Sequence, residues 1–157
     1  MLLAKNNLSD YDSSKVPDGS EFRIALVVSE WNNSITENLY KAAKKTLKKH
    51  NVLNENIVKY LVPGSFELIY MAAKVQNYKY HAIIVIGCIL KGETRHFEFI
   101  SNAVCNGIKD LNINGKCPVI FCVLTDDKLE QSKARSGGAK GNKGVEAAIT
   151  ALRMIDI

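Results

Sequence analysis

Much of what this 157-residue chain does not have narrows its class at once. Its four cysteines, Cys88, Cys105, Cys117 and Cys122, form no Cys-x-x-Cys pair and stand near no histidine. That spacing argues against zinc and for reduced, mostly buried thiols. No apolar run approaches the roughly 20 residues that cross a bilayer. Met1-Leu2-Leu3-Ala4 gives way directly to Lys5-Asn6-Asn7, unlike a secretory leader. A soluble, cytoplasmic chain with no membrane partner is therefore expected. A basic tail is missing, as is the aromatic interleaving that stacks bases, so the net charge of +5 does not point to nucleic acid. Its largest local source, Lys41, Lys44, Lys45, Lys48 and Lys49, falls on one expected helix and reads as a solvated face.

What is present is enough apolar residue, 46%, for one buried core. Residues 1–20 are polar and aperiodic and end in the turn-forming Pro17-Asp18-Gly19-Ser20, so a flexible arm is expected before a single domain over 21–157. Beyond the arm the periodicity alternates. Phe22 to Val28 reads as a buried strand and Ser34 to His50 as a helix with an apolar stripe at 35, 39, 42, 43 and 47, opened by a capping box at Ser34-Ile35-Thr36-Glu37. Ile57 to Val62 is the second strand, followed by a helix from Phe66 to Val75 with Ser65 as its cap. Ala82 to Gly87 is the third strand, Phe97 to Leu111 the third helix and Val119 to Leu124 the fourth strand. A short helix from Asp127 to Arg135, a glycine-rich break over 137–144 and a helix from Val145 to Ile155 complete the chain. Strands alternating with helices imply a four-stranded parallel sheet with right-handed crossovers, an α/β/α sandwich of three layers.

Ligands of such sheets bind where the strands end. The segments there are Ser29 to Asn33, Val62 to Glu67, Gly87 to His96 and Thr125 to Asp127, and the first three carry the chemically interesting residues. Gly87-Cys88-Ile89-Leu90-Lys91-Gly92-Glu93-Thr94-Arg95-His96 joins a buried strand to a helix start, where first-turn amides have no partner inside the helix and suit an anion. Glu93 stands where the nucleotide phosphate loop needs lysine, which argues against a triphosphatase and leaves a single phosphate on the amides of Glu93 and Thr94, or a plain capped helix. His96 beside that loop is a candidate proton carrier near neutrality. His50 and His81 lack such a setting and read as structural or solvent-facing.

The lone tryptophan, Trp31, either packs on the core or stacks on a flat ligand. Glu67 in Pro63-Gly64-Ser65-Phe66-Glu67 either serves the helix dipole or accepts hydrogen bonds from a polyhydroxyl ligand, and Gly64 allows close approach to the backbone. Arg135, with Lys143 in the glycine-rich stretch after it, either belongs to a solvated connection or grips phosphate with paired N–H donors.

Trp31-Asn32, Val62 to Leu68, Gly92-Glu93-Thr94-Arg95-His96-Phe97-Glu98, Pro118-Val119-Ile120-Phe121 and Glu130-Gln131 through Asn142-Lys143-Gly144 occur in the order found in the 6,7-dimethyl-8-ribityllumazine synthase family, which the chain resembles from Phe22 to Ile155. The resemblance implies a flavodoxin-like fold and condensation of 5-amino-6-(D-ribitylamino)uracil with 3,4-dihydroxy-2-butanone 4-phosphate, the penultimate step of riboflavin biosynthesis, without metal or organic cofactor. By the same resemblance, Trp31 stacks on the pyrimidine in a pocket lined by Cys88, Ile89 and Leu90. Asn32, Ser65, Phe66 and Glu67 hold the ribityl chain, Glu93 and Thr94 cradle the phosphate, His96 moves protons, Arg135 clamps the phosphate and Lys143 lies near the pyrimidine. It further implies sites between subunits, with Phe121, Arg135 and Lys143 reaching a neighbour's pocket, in a homopentamer or an icosahedral shell of twelve pentamers in which the arm packs on an adjacent subunit. The short Gly137 to Gly144 segment favours the shell, and riboflavin synthase is a possible partner. Ile69 and Cys122 depart from the family's usual proline and glycine. A flavin- or phosphate-binding module without catalysis is the rival of a different class.

Overall fold

The computed structural model describes residues 7–157. Four strands, β1 (Ile24–Ser29), β2 (Ile57–Val62), β3 (Ala82–Leu90) and β4 (Val119–Asp126), form one sheet in the order β2-β1-β3-β4, with every pair parallel. Helices α1 (Asn33–Lys49), α2 (Glu67–Val75), α3 (His96–Asn114), α4 (Leu129–Arg135) and α5 (Lys143–Ile155) make the connections and close the chain. The expected three-layer α/β fold is the observed one.

The period of two along each strand divides the core. Ile24, Leu26 and Val28 of β1, with Ala82, Ile84 and Ile86 of β3, face one way onto Leu39, Ala43 and Leu47 of α1 and Ala148, Ala151 and Leu152 of α5. Ala25, Val27, Ile83 and Val85 face the other way onto Leu68, Ala72 and Val75 of α2 and Val104 and Ile108 of α3. Both central strands are covered on two faces and so read as continuous apolar runs. Edge strand β2 is covered less completely and leaves Leu61 exposed.

The capping box expected at Ser34 does not form. Helix α1 starts one residue earlier, behind Asn32, whose φ of 58° lies in the left-handed region and whose side chain makes no cap bond. A tertiary partner takes the carboxylate the box would need, since Glu37 pairs with Lys59 of β2 at 2.8 Å, while the adjacent Thr36 hydroxyl ties the helix start to β1 by donating to the Ser29 carbonyl at 2.9 Å. Ser65 likewise gives α2 no cap; the residue before the helix is Phe66, without a side-chain cap bond, while the Glu67 carboxylate accepts from the Gly64 amide at 3.0 Å. Strands β3 and β4 run past Gly87 and Leu124 because they pair with each other through Leu90 and Asp126. Helix α3 reaches Asn114 rather than stopping at Leu111. The glycine-rich stretch is no simple break either, but a small antiparallel hairpin, β5 (Ser136–Gly138) and β6 (Gly141–Asn142), with Asn142 capping α5 by accepting from the Gly144 amide at 2.8 Å.

Residues 1–6 of the expected arm lie outside the described residues. The remainder runs along its own chain: the Leu8 amide donates to the Lys140 carbonyl at 2.8 Å and the Asn142 amide to Ser9 Oγ at 3.0 Å. Tyr11 and His50 share a hydrogen bond at 3.2 Å, and partial burial together with the Lys49 ammonium holds the His50 pKa below its ordinary value. His81 accepts the Arg23 amide through Nδ1 at 2.9 Å, so both histidines are structural. Cys88 and Cys122 are buried, Cys117 is half-buried and Cys105 exposed, and all are free thiols.

Gly144 lets α5 approach α1. A Cβ there would stand 2.1 Å from the Leu39 carbonyl oxygen, which belongs to helix backbone and cannot swing aside. Helix propensity alone makes Gly144→Ala stabilising by up to about 1 kcal/mol, whereas forced separation of the helices costs about 1–3 kcal/mol. Packing should win, lowering the urea midpoint followed by circular dichroism; an unchanged or raised midpoint would show that the helices separate freely.

Candidate active site

The strand order reverses direction between β1 and β3, since the chain moves from β1 outward to β2 and then crosses back to β3. The loops beyond such a switch point diverge and leave a crevice. Here it is a cavity of about 530 Å³. Asn32, directly after β1, spans its base by donating from Nδ2 to the Cys88 carbonyl of β3 at 2.9 Å. Loop-to-loop backbone bonds fix the next wall: the Glu30 amide donates to Val62 O at 2.8 Å and the Trp31 amide to Pro63 O at 3.1 Å. The strand ends Cys88, Ile89 and Leu90 supply an apolar floor.

Trp31 is not a core residue. Its side chain lines the cavity and the residue is 67% exposed, with one ring edge lying against Gly64 so closely that a Cβ there would sit 3.0 Å from Cε3. Phe66, half-exposed, and the buried Ser65 line the same cavity. Glu67 lines it too. One carboxylate oxygen is used by the Gly64 amide, and the other has no protein partner among the described residues. An apolar, aromatic slot thus lies beside a free acceptor, which suits a flat ring carrying a polar chain.

At the far end, Thr94 and His96 line the cavity where α3 begins. The Thr94 hydroxyl accepts the His96 amide at 3.4 Å, while the amides of Glu93, Thr94 and Arg95 donate no hydrogen bond among the described residues. Unpaired donors at the positive end of a 19-residue helix are suited to an anion. The Glu93 side chain is exposed and does not line the cavity. Phe97 and Ile100, one helical turn apart on α3, complete the apolar wall; sequence reasoning assigns them no role, although their spacing on the helix that His96 opens was the signal for it.

Phe121, Arg135 and Lys143 are elsewhere in the protomer. They line a second cleft of about 310 Å³, together with Thr125 and Asp126 from the end of β4. The Arg135 guanidinium is half-exposed, its Nε 3.8 Å from the Asp126 carboxylate, and Lys143 pairs with Glu146 at 2.6 Å. Within one chain, then, the imidazole and the guanidinium open onto different clefts. Among the described residues no group of three or more His, Cys, Asp or Glu side chains is placed to hold a metal ion, and no helix is long and apolar enough to cross a membrane.

Residues 21–157 match the family described as 6,7-dimethyl-8-ribityllumazine synthase. The chain belongs to that family. It is 51% identical to the 6,7-dimethyl-8-ribityllumazine synthase of Christiangramia forsetii over 100% of this chain and 95% of that protein. The Flavobacterium johnsoniae protein of the same name is 52% identical over 98% of this chain and 82% of its own length, and that of Parabacteroides distasonis 48% over 99% and 98%. The matched span leaves out the arm and takes in both clefts.

As the chain's only tryptophan, Trp31 makes intrinsic fluorescence a report on the larger cavity. Iodide should quench the free protein strongly, and a flat heterocycle bound there should shield the indole. Undiminished quenching at ligand saturation would place the ligand elsewhere.

Proposed function

We propose that the protein condenses 5-amino-6-(D-ribitylamino)uracil with 3,4-dihydroxy-2-butanone 4-phosphate to give 6,7-dimethyl-8-ribityllumazine, phosphate and water, the penultimate step of riboflavin biosynthesis. Beside family membership, one observation carries this reading: an exposed indole, a carboxylate with a free oxygen, His96 and Thr94, whose amide has no partner among the described residues, line one crevice. The pyrimidine stacks on Trp31 over Ile89 and Leu90. Asn32, Ser65, Phe66 and Glu67 hold the ribityl chain, and the amides of Glu93 and Thr94 receive the phosphate.

The amine that attacks the ketone belongs to the substrate, so the protein supplies no nucleophile. Its work is to bring two bound molecules together and to move protons during imine formation, phosphate loss and ring closure. His96 is the proton carrier. The reaction needs neither metal nor organic cofactor.

Arg135, Lys143 and Phe121 complete the site from a neighbouring protomer. What supports this is that within one chain Phe121, Arg135 and Lys143 line a different cleft from Trp31 and His96. The assembly is a homopentamer or a shell of twelve pentamers, with the short hairpin segment favouring the shell. A cytoplasmic location and association with riboflavin synthase fit the same reading.

Mixing both substrates with the protein and following phosphate release together with lumazine absorbance tests the activity; absence of both signals would end the proposal. His96→Ala should fold normally and lose roughly 10- to 10⁴-fold in rate, and full turnover would remove the imidazole from the mechanism. Arg135→Ala should raise KM for the phosphorylated substrate, and equal damage to binding of the uracil would contradict a phosphate clamp. Sedimentation velocity separates pentamer from shell, and a monomer with full activity would exclude shared sites.

A further inference from the structure

The acid at the end of β4 has no part in the reaction as described, yet it is the best-held polar group beside the second cleft. Asp126 is only 11% exposed at its side chain. Its Oδ2 accepts a hydrogen bond from Ser132 Oγ at 2.7 Å, and its Oδ1 faces Arg135 Nε at 3.8 Å. Ser132 is fully buried on α4 and its hydroxyl also meets Cys88 Sγ at 3.4 Å, so the carboxylate is anchored to the neighbouring strand β3. Ser132 and Arg135 are three residues apart and lie on one face of α4, the face turned to Asp126. The main chain is fixed as well, because the Asp126 carbonyl accepts the Lys91 amide at 3.1 Å.

By charge alone this is the wrong residue for the place. A carboxylate beside an arginine that is to bind phosphate subtracts from the attraction, so its presence calls for another role. Geometry offers one. A guanidinium is a planar fork of five N–H donors, and a carboxylate on the Nε side, here an ion pair at 3.8 Å, draws that edge toward itself while the terminal NH₂ groups stay free to meet an anion. Arg135 is half-exposed on a short helix and has no other charged partner among the described residues.

We propose that Asp126, braced by Ser132, is a positioning residue that orients the Arg135 guanidinium for the phosphate of the butanone substrate. The proposal rests on the reading of Arg135 as the phosphate clamp. It makes the Cys88–Ser132–Asp126–Arg135 series a bracket that ties the floor of one cleft to the cation of the other.

The sign of the effect separates positioning from electrostatics. Asp126→Ala should raise KM for the butanone phosphate about tenfold and weaken competitive inhibition by inorganic phosphate in parallel, with KM for the uracil unchanged. Loss of the negative charge alone would instead lower KM and tighten inorganic phosphate. Asp126→Asn keeps an acceptor for Nε and is isosteric, so it serves where the alanine variant folds poorly; its KM should lie above wild type and below that of Asp126→Ala. In an Arg135→Ala background, Asp126→Ala should add nothing. An active wild-type enzyme whose Asp126→Asn variant has a KM at or below the wild-type value would overturn this inference and leave the function standing. A wild-type protein that forms no lumazine would overturn the function and the inference with it.

Discussion

The crevice depends on one hydrogen bond across the reversal of the sheet, from Asn32 Nδ2 to the Cys88 carbonyl. Strands β1 and β3 are hydrogen-bonded from Ile24 and Ala82 up to Val28 and Ile86, and beyond that point their loops must part. Asn32 closes the gap at its base. It does so from a left-handed backbone conformation that asparagine tolerates better than most residues with a side chain. The same residue turns the chain from β1 into α1, so the strand, the helix start and the floor of the cavity are set together. An asparagine used in this way cannot also cap its helix.

That double use explains where the sequence is a poor guide. Buried strands, helical stripes and the three-layer architecture are all legible, because period two and period 3.6 are written in the apolar residues themselves. Helix starts are less so. Ser34 to Glu37 has the spacing of a capping box, but Glu37 finds a partner in β2 that no local pattern reveals. The ends of β3 and β4 are misjudged for a related reason, since each is prolonged by pairing with the other rather than by its own composition.

The site follows the same division. Trp31, Asn32, Ser65, Phe66, Glu67, Thr94 and His96 are legible as residues that follow strand ends, and they share one cavity. Arg135 and Lys143 are legible as cations, but their distance from His96 within the protomer comes from topology: they follow β4 at one edge of the sheet, whereas the crevice lies between β1 and β3. Asp126 and Ser132 are invisible in sequence, because an acid at a strand end and a serine in a helix acquire meaning only when α4 folds back over β4.

Gly64 has a consequence for selectivity. With hydrogen in place of a side chain, the indole can lie down on the main chain, and the thickness of the slot is then governed by a single carbon that the residue omits. Even a methyl group at this point would press on the edge of the indole at 3.0 Å and displace it. The same methyl would stand 3.0 Å from the Glu67 carboxylate, so the width available to an aromatic guest and the placing of the acceptor beside it are set together at this one position.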